Sequence, residues 1–377
     1  MMKAGRGILA LTLGFGTFAP AMFAAAGSTV NPTVFVMTNA ADRNEVVVYT
    51  RERDGGSSEA NRFSTDGRGS GGTNDPLQSQ GSLTLNSEHT LLFAVNAGSG
   101  TLASFRVRGK GELALVDKVP TGGSEPLAVA TFKNRVYVLD GAGQGTVVGF
   151  SVDEAGRLHA ITDASAFLSA TSAGGSSISI TPDGQFLVVT ERLTNDIDTF
   201  RIFSDGTLGP INTIASPVPG VFSARFDPQG QLILSATGPA GAANASTISS
   251  FSVKSNGALT AVTESLPTFG NANCWNAVTP DGKFAYVSNA GSSTISAFSI
   301  SKTGVLKPVG STVVATQPEG TTNLDITVSG DGKYLYTLDS MVGSVSVFAI
   351  NADGTLTSQG EISGLPKNVG FNGIAAL

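Results

Sequence analysis

An all-β fold, a seven-bladed β-propeller of four-stranded antiparallel blades closed by a C-terminal inner strand, is predicted by three observations. A glycine turn recurs along the chain, an alternating strand with one aromatic residue precedes each copy, and the two chain ends carry complementary parts of one repeat. Internal periodicity of this length is the mark of stacked or ringed supersecondary units.

The N-terminus stands apart from the repeat. Lys3 and Arg6 precede an apolar stretch from Gly7 to Ala19, and Ala24-Ala25-Ala26 supplies the small residues of a cleavage site. Together they read as a secretory signal peptide over residues 1–26, cut after Ala26, which leaves 27–377 as a single propeller domain. The apolar stretch falls short of the roughly 20 residues that span a bilayer, so no membrane span is expected and the mature chain is read as periplasmic or secreted. The single Cys274 has no partner within the chain for a disulfide.

The repeat then runs in order. Alternating segments "EVVVYT", "TLASFRV", "TVVGFSV", "DIDTFRI", "TISSFSV", "TISAFSI" and "SVSVFAI" place Tyr49, Phe105, Phe150, Phe200, Phe251, Phe298 and Phe348 at one offset. Period-2 alternation rich in β-branched and aromatic residues marks a half-buried strand, and one ring per repeat packs each sheet on its neighbour. After these strands come glycine turns at Gly111, Gly156, Gly206, Gly257, Gly304 and Gly354, 45 to 51 residues apart, with a less regular copy at Gly55. A Gly/Ser/Asn-rich insertion, residues 55–75, follows that copy and is read as an inserted loop. An earlier turn in each repeat ends at Gly184, Gly230, Gly282 and Gly332, with divergent versions at Ser87 to His89 and Phe132 to Asn134. Two hairpin turns and four short strands per repeat make one propeller blade. The chain opens on a second-strand pattern, "TVFVMTN", and ends on a bare first-strand segment, "NGIAAL", so the last residues complete the first blade and protect its edge.

Composition narrows the function. With 23 Lys+Arg against 29 Asp+Glu and no basic run, the chain lacks the electrostatic footprint of a nucleic-acid binder. No G-x-S-x-G, H-E-x-x-H or C-x-x-C element occurs. "GAGQGT" (Gly141 to Thr146) is not followed by a helix and reads as a blade loop, and "TNDID" (Thr194 to Asp198) lacks the spacing of a calcium loop. No cofactor and no metal site is expected, and the chain is read as a monomer.

The segments "DPLQSQGSLTL", "LLFAVNAGSGTLASFRV", "TPDGQFLVVTERLTNDIDTFRI" and "CWNAVTPDGKFAYVSNAGSSTISAFSI" resemble those of the lactonase-like seven-bladed β-propellers, the superfamily of a 6-phosphogluconolactonase and the fungal 3-carboxymuconate-lactonising enzyme. The resemblance spans essentially the whole mature chain. It implies a lactonase or cycloisomerase whose site uses a His-containing first strand, an Arg-His pair and a Glu. Here the first of these reads "GGSSISI" (Gly174 to Ile180), and "VFSARF" keeps Arg225 without a His.

Propeller ligands sit at the channel end formed by the starts of the inner strands and the loops after the second strands. Counting nine residues back from each first turn gives Gln80, Glu125, Gly175, Val221, Asn273 and Asn323 as a ring, with Arg225, Trp275 and Asp325 beside it. The loops add Arg43, Glu191, Arg192, Asn195 and Asp339. Gln80, Glu125, Asn273, Trp275, Asn323 and Asp325 are the expected contacts for a small polar, carboxylated or sugar-like ligand, the alternative being polar groups lining a water-filled channel. Glu191, Arg192 and Arg225 are the expected catalytic set, Glu191 as general base on water and an arginine holding the oxyanion. A solvent-exposed loop pair is the other account of Glu191 and Arg192. His89 and His159 are expected to lie away from the channel, on a turn and an outer strand. Two functions follow: an exported ligand-binding propeller, or a periplasmic lactonase or cycloisomerase working through Glu and Arg without His.

Overall fold

The computed structural model describes residues 1–2, 33–51 and 57–377, so the expected signal peptide lies outside the described residues. Seven sheets of four antiparallel strands make up the fold, and no α-helix occurs among the described residues. The inner strands are Ile374–Ala376 in blade 1, Leu83–Leu85 in blade 2, Pro126–Phe132 in blade 3, Gly175–Ile180 in blade 4, Val221–Phe226 in blade 5, Asn273–Val278 in blade 6 and Asn323–Val328 in blade 7. Blade 1 is completed by Thr33–Met37, Glu45–Arg51 and Ser57–Ser64, so its inner strand comes from one end of the chain and its other three from the opposite end. Val34 pairs with Ala376 and Val36 with Ile374, which closes the ring as the sequence predicts.

The repeated aromatics are buried as expected: Phe105, Phe200 and Phe298 are fully buried and the other four nearly so. Each packs in a core shared by adjacent blades, as where Tyr137 and Leu139 of blade 3 meet Ile178, Leu187 and Phe200 of blade 4. Burying such a side chain contributes about 1.5–3 kcal/mol relative to leaving it in water.

Both kinds of turn lie on one face, hereafter the turn face, because inner and third strands run toward it. The "TPDG" turns have a reproducible chemistry: Thr181 Oγ1 accepts the Phe186 N–H at 3.0 Å, Thr279 Oγ1 accepts that of Phe284 at 3.1 Å, and Ser329 Oγ accepts that of Tyr334 at 3.0 Å. Their glycines sit in the left-handed region, φ +73° at Gly184, +69° at Gly282 and +72° at Gly332. The opposite, loop face carries the starts of the inner strands and the ends of the second strands, as the pairs Gly175↔Glu191, Asn273↔Asn289 and Asn323↔Asp339 show.

Residues 55–75, read as one inserted loop, hold the strand Ser57–Ser64, which the fourth place in blade 1 requires. The connection on the loop face therefore runs from Thr65 to Ser82, and this segment positions the site.

Candidate functional site

The expected site residues fall into two groups. At the loop face stand Glu125, Glu191, Arg192, Asn273 and Asn323. Glu125 is exposed just before the inner strand of blade 3. Asn273 and Asn323 are fully buried and tie neighbouring blades together, donating Nδ2 to Thr247 O at 2.9 Å and to Thr294 O at 3.0 Å.

Glu191 is the last residue of the second strand of blade 4 and is fully buried. One carboxylate oxygen accepts the Ser169 N–H at 2.8 Å; the other accepts the Ser169 hydroxyl and the Thr194 hydroxyl, the latter at 2.6 Å. Burial pushes its pKa up, but hydrogen bonds from Asp198, Ser169 and Thr194 outweigh that and hold it below the usual glutamate value. The same position in other blades is Asn96, Asp140, Asn289 and Asp339. Asn96 accepts from Thr65, Asp140 from Thr121 and Asp339 from Gln317, each partner just beyond the outer strand of the preceding blade, as Ser169 is. Glu191 thus belongs to a repeated inter-blade tether, which the residue type at this one position conceals in the sequence. Arg192 turns elsewhere: burial lowers its pKa, and the carboxylates facing it are Asp75 and Glu125.

The second group lies inside the channel. β-Bulges near the start of the inner strands, between Val221 and Ala224, Asn273 and Trp275, and Asn323 and Ile326, re-aim the residues that follow. The Thr65–Ser82 connection crosses the loop face, where Asn372 Nδ2 donates to Asp75 at 2.8 Å, and then enters the channel. There Trp275 Nε1 donates to Ser79 O at 3.0 Å, Gln80 N to Ser176 O at 2.9 Å and Val129 N to Gly81 O at 2.9 Å. Gln80 Nε2 donates to Asn276 O at 2.9 Å and Asp325 Oδ1 at 3.0 Å, while its Oε1 accepts from Ser223 Oγ and from Asn276 N at 3.2 Å. Ser79 to Gly81 is thus a stopper bonded to blades 3, 4, 5, 6 and 7. Trp275, edge-on to Phe222 at 5.2 Å, is its wall.

Between the stopper and the turn face is a cavity of about 280 Å³, lined among others by Gln80, Arg225, Asn276, Asp325, Thr327 and His89. Arg225 makes no hydrogen bond and no ion pair among the described residues. Its guanidinium lies against the backbone of Gly81, where a Cβ would stand 3.0 Å from Nη2. Burial lowers the Arg225 pKa and Asp325 opposes that shift. The Asp325 carboxyl accepts from Ile326 N at 2.9 Å, Gln80 at 3.0 Å and Ile374 N at 3.3 Å. Burial, offset by Arg225 and these donors, raises its pKa to about 6. Above that pH the cavity presents one cation and one anion, with amide and hydroxyl groups between them. A guanidinium with no hydrogen-bonding partner suits a carboxylate, and an ionised carboxyl suits hydroxyl donors.

The sequence expectation for His89 is overturned, because it lines this cavity. Its turn, Asn86 to Thr90, lies on the turn face as expected, but at the channel rim. Asn276 and Ser223 were also not foreseen; both lie one or two residues from expected positions, Ser223 within a bulge and Asn276 just past one, and only pairing reveals either bulge. A larger groove of about 590 Å³ lies off the axis between turns of blades 4 and 5, and its charges, Asp183 and Lys254, are exposed. No cluster of three or more His, Cys, Asp or Glu placed to hold a metal ion occurs among the described residues.

Comparison with known proteins gives two findings. The family profile described as lactonase, 7-bladed beta-propeller matches residues 71–160, 143–276 and 275–368. Among solved structures, a putative 6-phosphogluconolactonase from Bacteroides uniformis superposes with a TM-score of 0.70 at 20% identity, covering 92% of this chain and 99% of that one. A periplasmic gluconolactonase from Pseudomonas aeruginosa superposes with a TM-score of 0.64 at 19% identity, covering 90% and 98%. At such identities the likeness is one of fold. No curated protein matches significantly.

Proposed function

Because the chain belongs to the lactonase family of seven-bladed β-propellers, we propose that it binds a small polyhydroxylated carboxylate, or the lactone of one, in the channel cavity. The observation that carries this is Arg225, a largely buried guanidinium facing a cavity with no hydrogen-bonding partner of its own. A volume of about 280 Å³ accommodates a ligand of the size of a simple sugar acid. Its carboxylate pairs with Arg225, and its hydroxyls meet Asp325, Asn276 and Thr327. The N-terminal 26 residues support export, and N-terminal sequencing of the protein recovered from the periplasm tests cleavage after Ala26.

Family membership favours a second reading, lactone hydrolysis in the same cavity. Water attacks the lactone carbonyl, ionised Asp325 takes its proton, Arg225 holds the oxyanion, and the ring C–O bond breaks with a proton passing to the released alkoxide. The test is a panel of sugar lactones with wild type, Arg225→Met, Asp325→Asn and Glu191→Gln, beside calorimetric titration with D-gluconate. Binding lost in Arg225→Met supports the ligand reading; unchanged binding overturns it. Wild-type turnover no faster than buffer removes hydrolysis and leaves binding. Turnover lost only in Glu191→Gln returns the base to the loop face, as the sequence led us to expect.

A further inference from the structure

We propose that His89 is the outer contact of the channel cavity, so that ligand is bound from the turn face and selected by its length between Arg225 and His89. The inference rests on the ligand reading above and names a residue and a route that the reading does not require.

Three observations carry it. First, His89 occupies a backbone position that the repeat reserves for glycine. In the turns of blades 4, 6 and 7 the residue whose N–H closes the turn is Gly184, Gly282 or Gly332, at positive φ. In blade 2 the His89 N–H closes the same turn on Asn86 O at 3.0 Å, with φ +54°. A side chain there costs free energy relative to glycine. Second, the imidazole is exposed and makes no hydrogen bond among the described residues, so its ring nitrogens are open to a ligand. Third, the ring reaches across the channel rim from blade 2 to blade 7: a Cβ on Gly330 would clash with His89 Cε1. That places it over the cavity it lines, with Gly330 fixing it from the far side.

The opposite end offers no comparable way in. Gln80 fills the channel with hydrogen bonds to Asn276, Asp325 and Ser223, and Ser79 is held by Leu127 O at 2.9 Å. A carboxylate on Arg225 therefore projects its chain toward the turn face. On this proposal a longer acid such as the six-carbon gluconate meets an imidazole nitrogen at the rim with its terminal hydroxyl, and the three-carbon glycerate serves as the short comparison.

The test is titration calorimetry with D-gluconate and D-glycerate against wild type, His89→Gly, Gly330→Ala and Arg225→Met. His89→Gly relaxes the backbone, so it is expected to fold with an unchanged or raised Tm. It should weaken gluconate binding about tenfold, the order expected for one lost hydrogen bond, and leave glycerate unchanged. Gly330→Ala displaces the ring and should act the same way. Arg225→Met should remove both ligands. If His89→Gly binds gluconate as wild type does while Arg225→Met does not, the role of His89 is overturned and the ligand reading stands. If Arg225→Met leaves both ligands bound, or wild type binds neither, both fail.

Discussion

At the scale of single residues, the site depends on how closely backbone approaches Arg225. Gly81 has φ +100°, and a methyl group there would meet the guanidinium at 3.0 Å. Gly81→Ala is therefore expected to act twice: a left-handed position destabilised by about 1 kcal/mol or more, and a displaced Arg225. A lower Tm together with weakened gluconate binding is the expected result; wild-type behaviour in both would show that the stopper does not support the guanidinium. Glu191 carries a different lesson. Its adjacent unlike charge, Arg192, made the pair stand out in the sequence, yet the oxygens of Glu191 are taken by Ser169 and Thr194 while Arg192 faces Asp75 first. Charge adjacency along a strand end says nothing of common direction, because successive side chains alternate between the two faces of a sheet.

At the scale of the blade, four of the repeated turns are also connectors. The carbonyl of Gly206 accepts the Tyr137 hydroxyl of the preceding blade at 2.7 Å, and Gly354 accepts that of Tyr286 at 2.9 Å. Ser104 and Ser250 do the same for Gly156 and Gly304 at 2.7 and 2.6 Å. These four glycine turns thus hold one sheet to the next. Burial raises the Tyr137 pKa to about 12, in keeping with a hydroxyl that donates inside the protein. Tyr137→Phe should cost about 0.5–1.5 kcal/mol in urea unfolding, since it leaves the Gly206 carbonyl without that donor. No change in the midpoint would mean that water replaces the contact. On the loop face, Glu191→Ala removes the acceptor of three hydrogen bonds and should cost about 1–3 kcal/mol, whatever its effect on turnover.

At the scale of the whole ring, two properties follow. Closure rests on a short strand, Ile374–Ala376, paired to Thr33–Met37. A chain lacking residues 374–377 leaves that buried strand as an open edge and is expected to lose its sharp thermal transition and to aggregate. A soluble truncated protein with an unchanged Tm would contradict closure as the source of cooperativity. The ring also buries acidic groups. Desolvation raises Asp75, Asp140 and Asp325 to about 6 and Asp339 to about 7, against about 3.9 for an unfolded aspartate. In that window the native state binds more protons than the unfolded chain, so the stability these groups contribute is full below about pH 4 and is lost progressively as pH rises from there through about 6 to 7. Aspartates lowered by their turns, such as Asp205 and Asp353, act in the opposite sense and only below pH 4. Calorimetry should give a higher Tm at pH 5 than at pH 8, with Asp339→Asn reducing the difference. A Tm that rises over the same interval would show that these carboxyls are not buried as described.

The sequence by itself determined the number of blades, the four strands in each, the aromatic positions and the closing strand. All of these are written in local periods, which alternation of side chains and glycine turns set without reference to distant residues. The tertiary structure alone decided the site. Gln80 and Asp325, 245 residues apart, meet only when the ring is closed. The bulges that turn Arg225 and Asn276 inward appear only when strands pair, and His89 reaches the cavity only because blade 2 stands across the rim from blade 7. A ring built from similar units determines its architecture locally, whereas its central channel is made by residues from many blades at once.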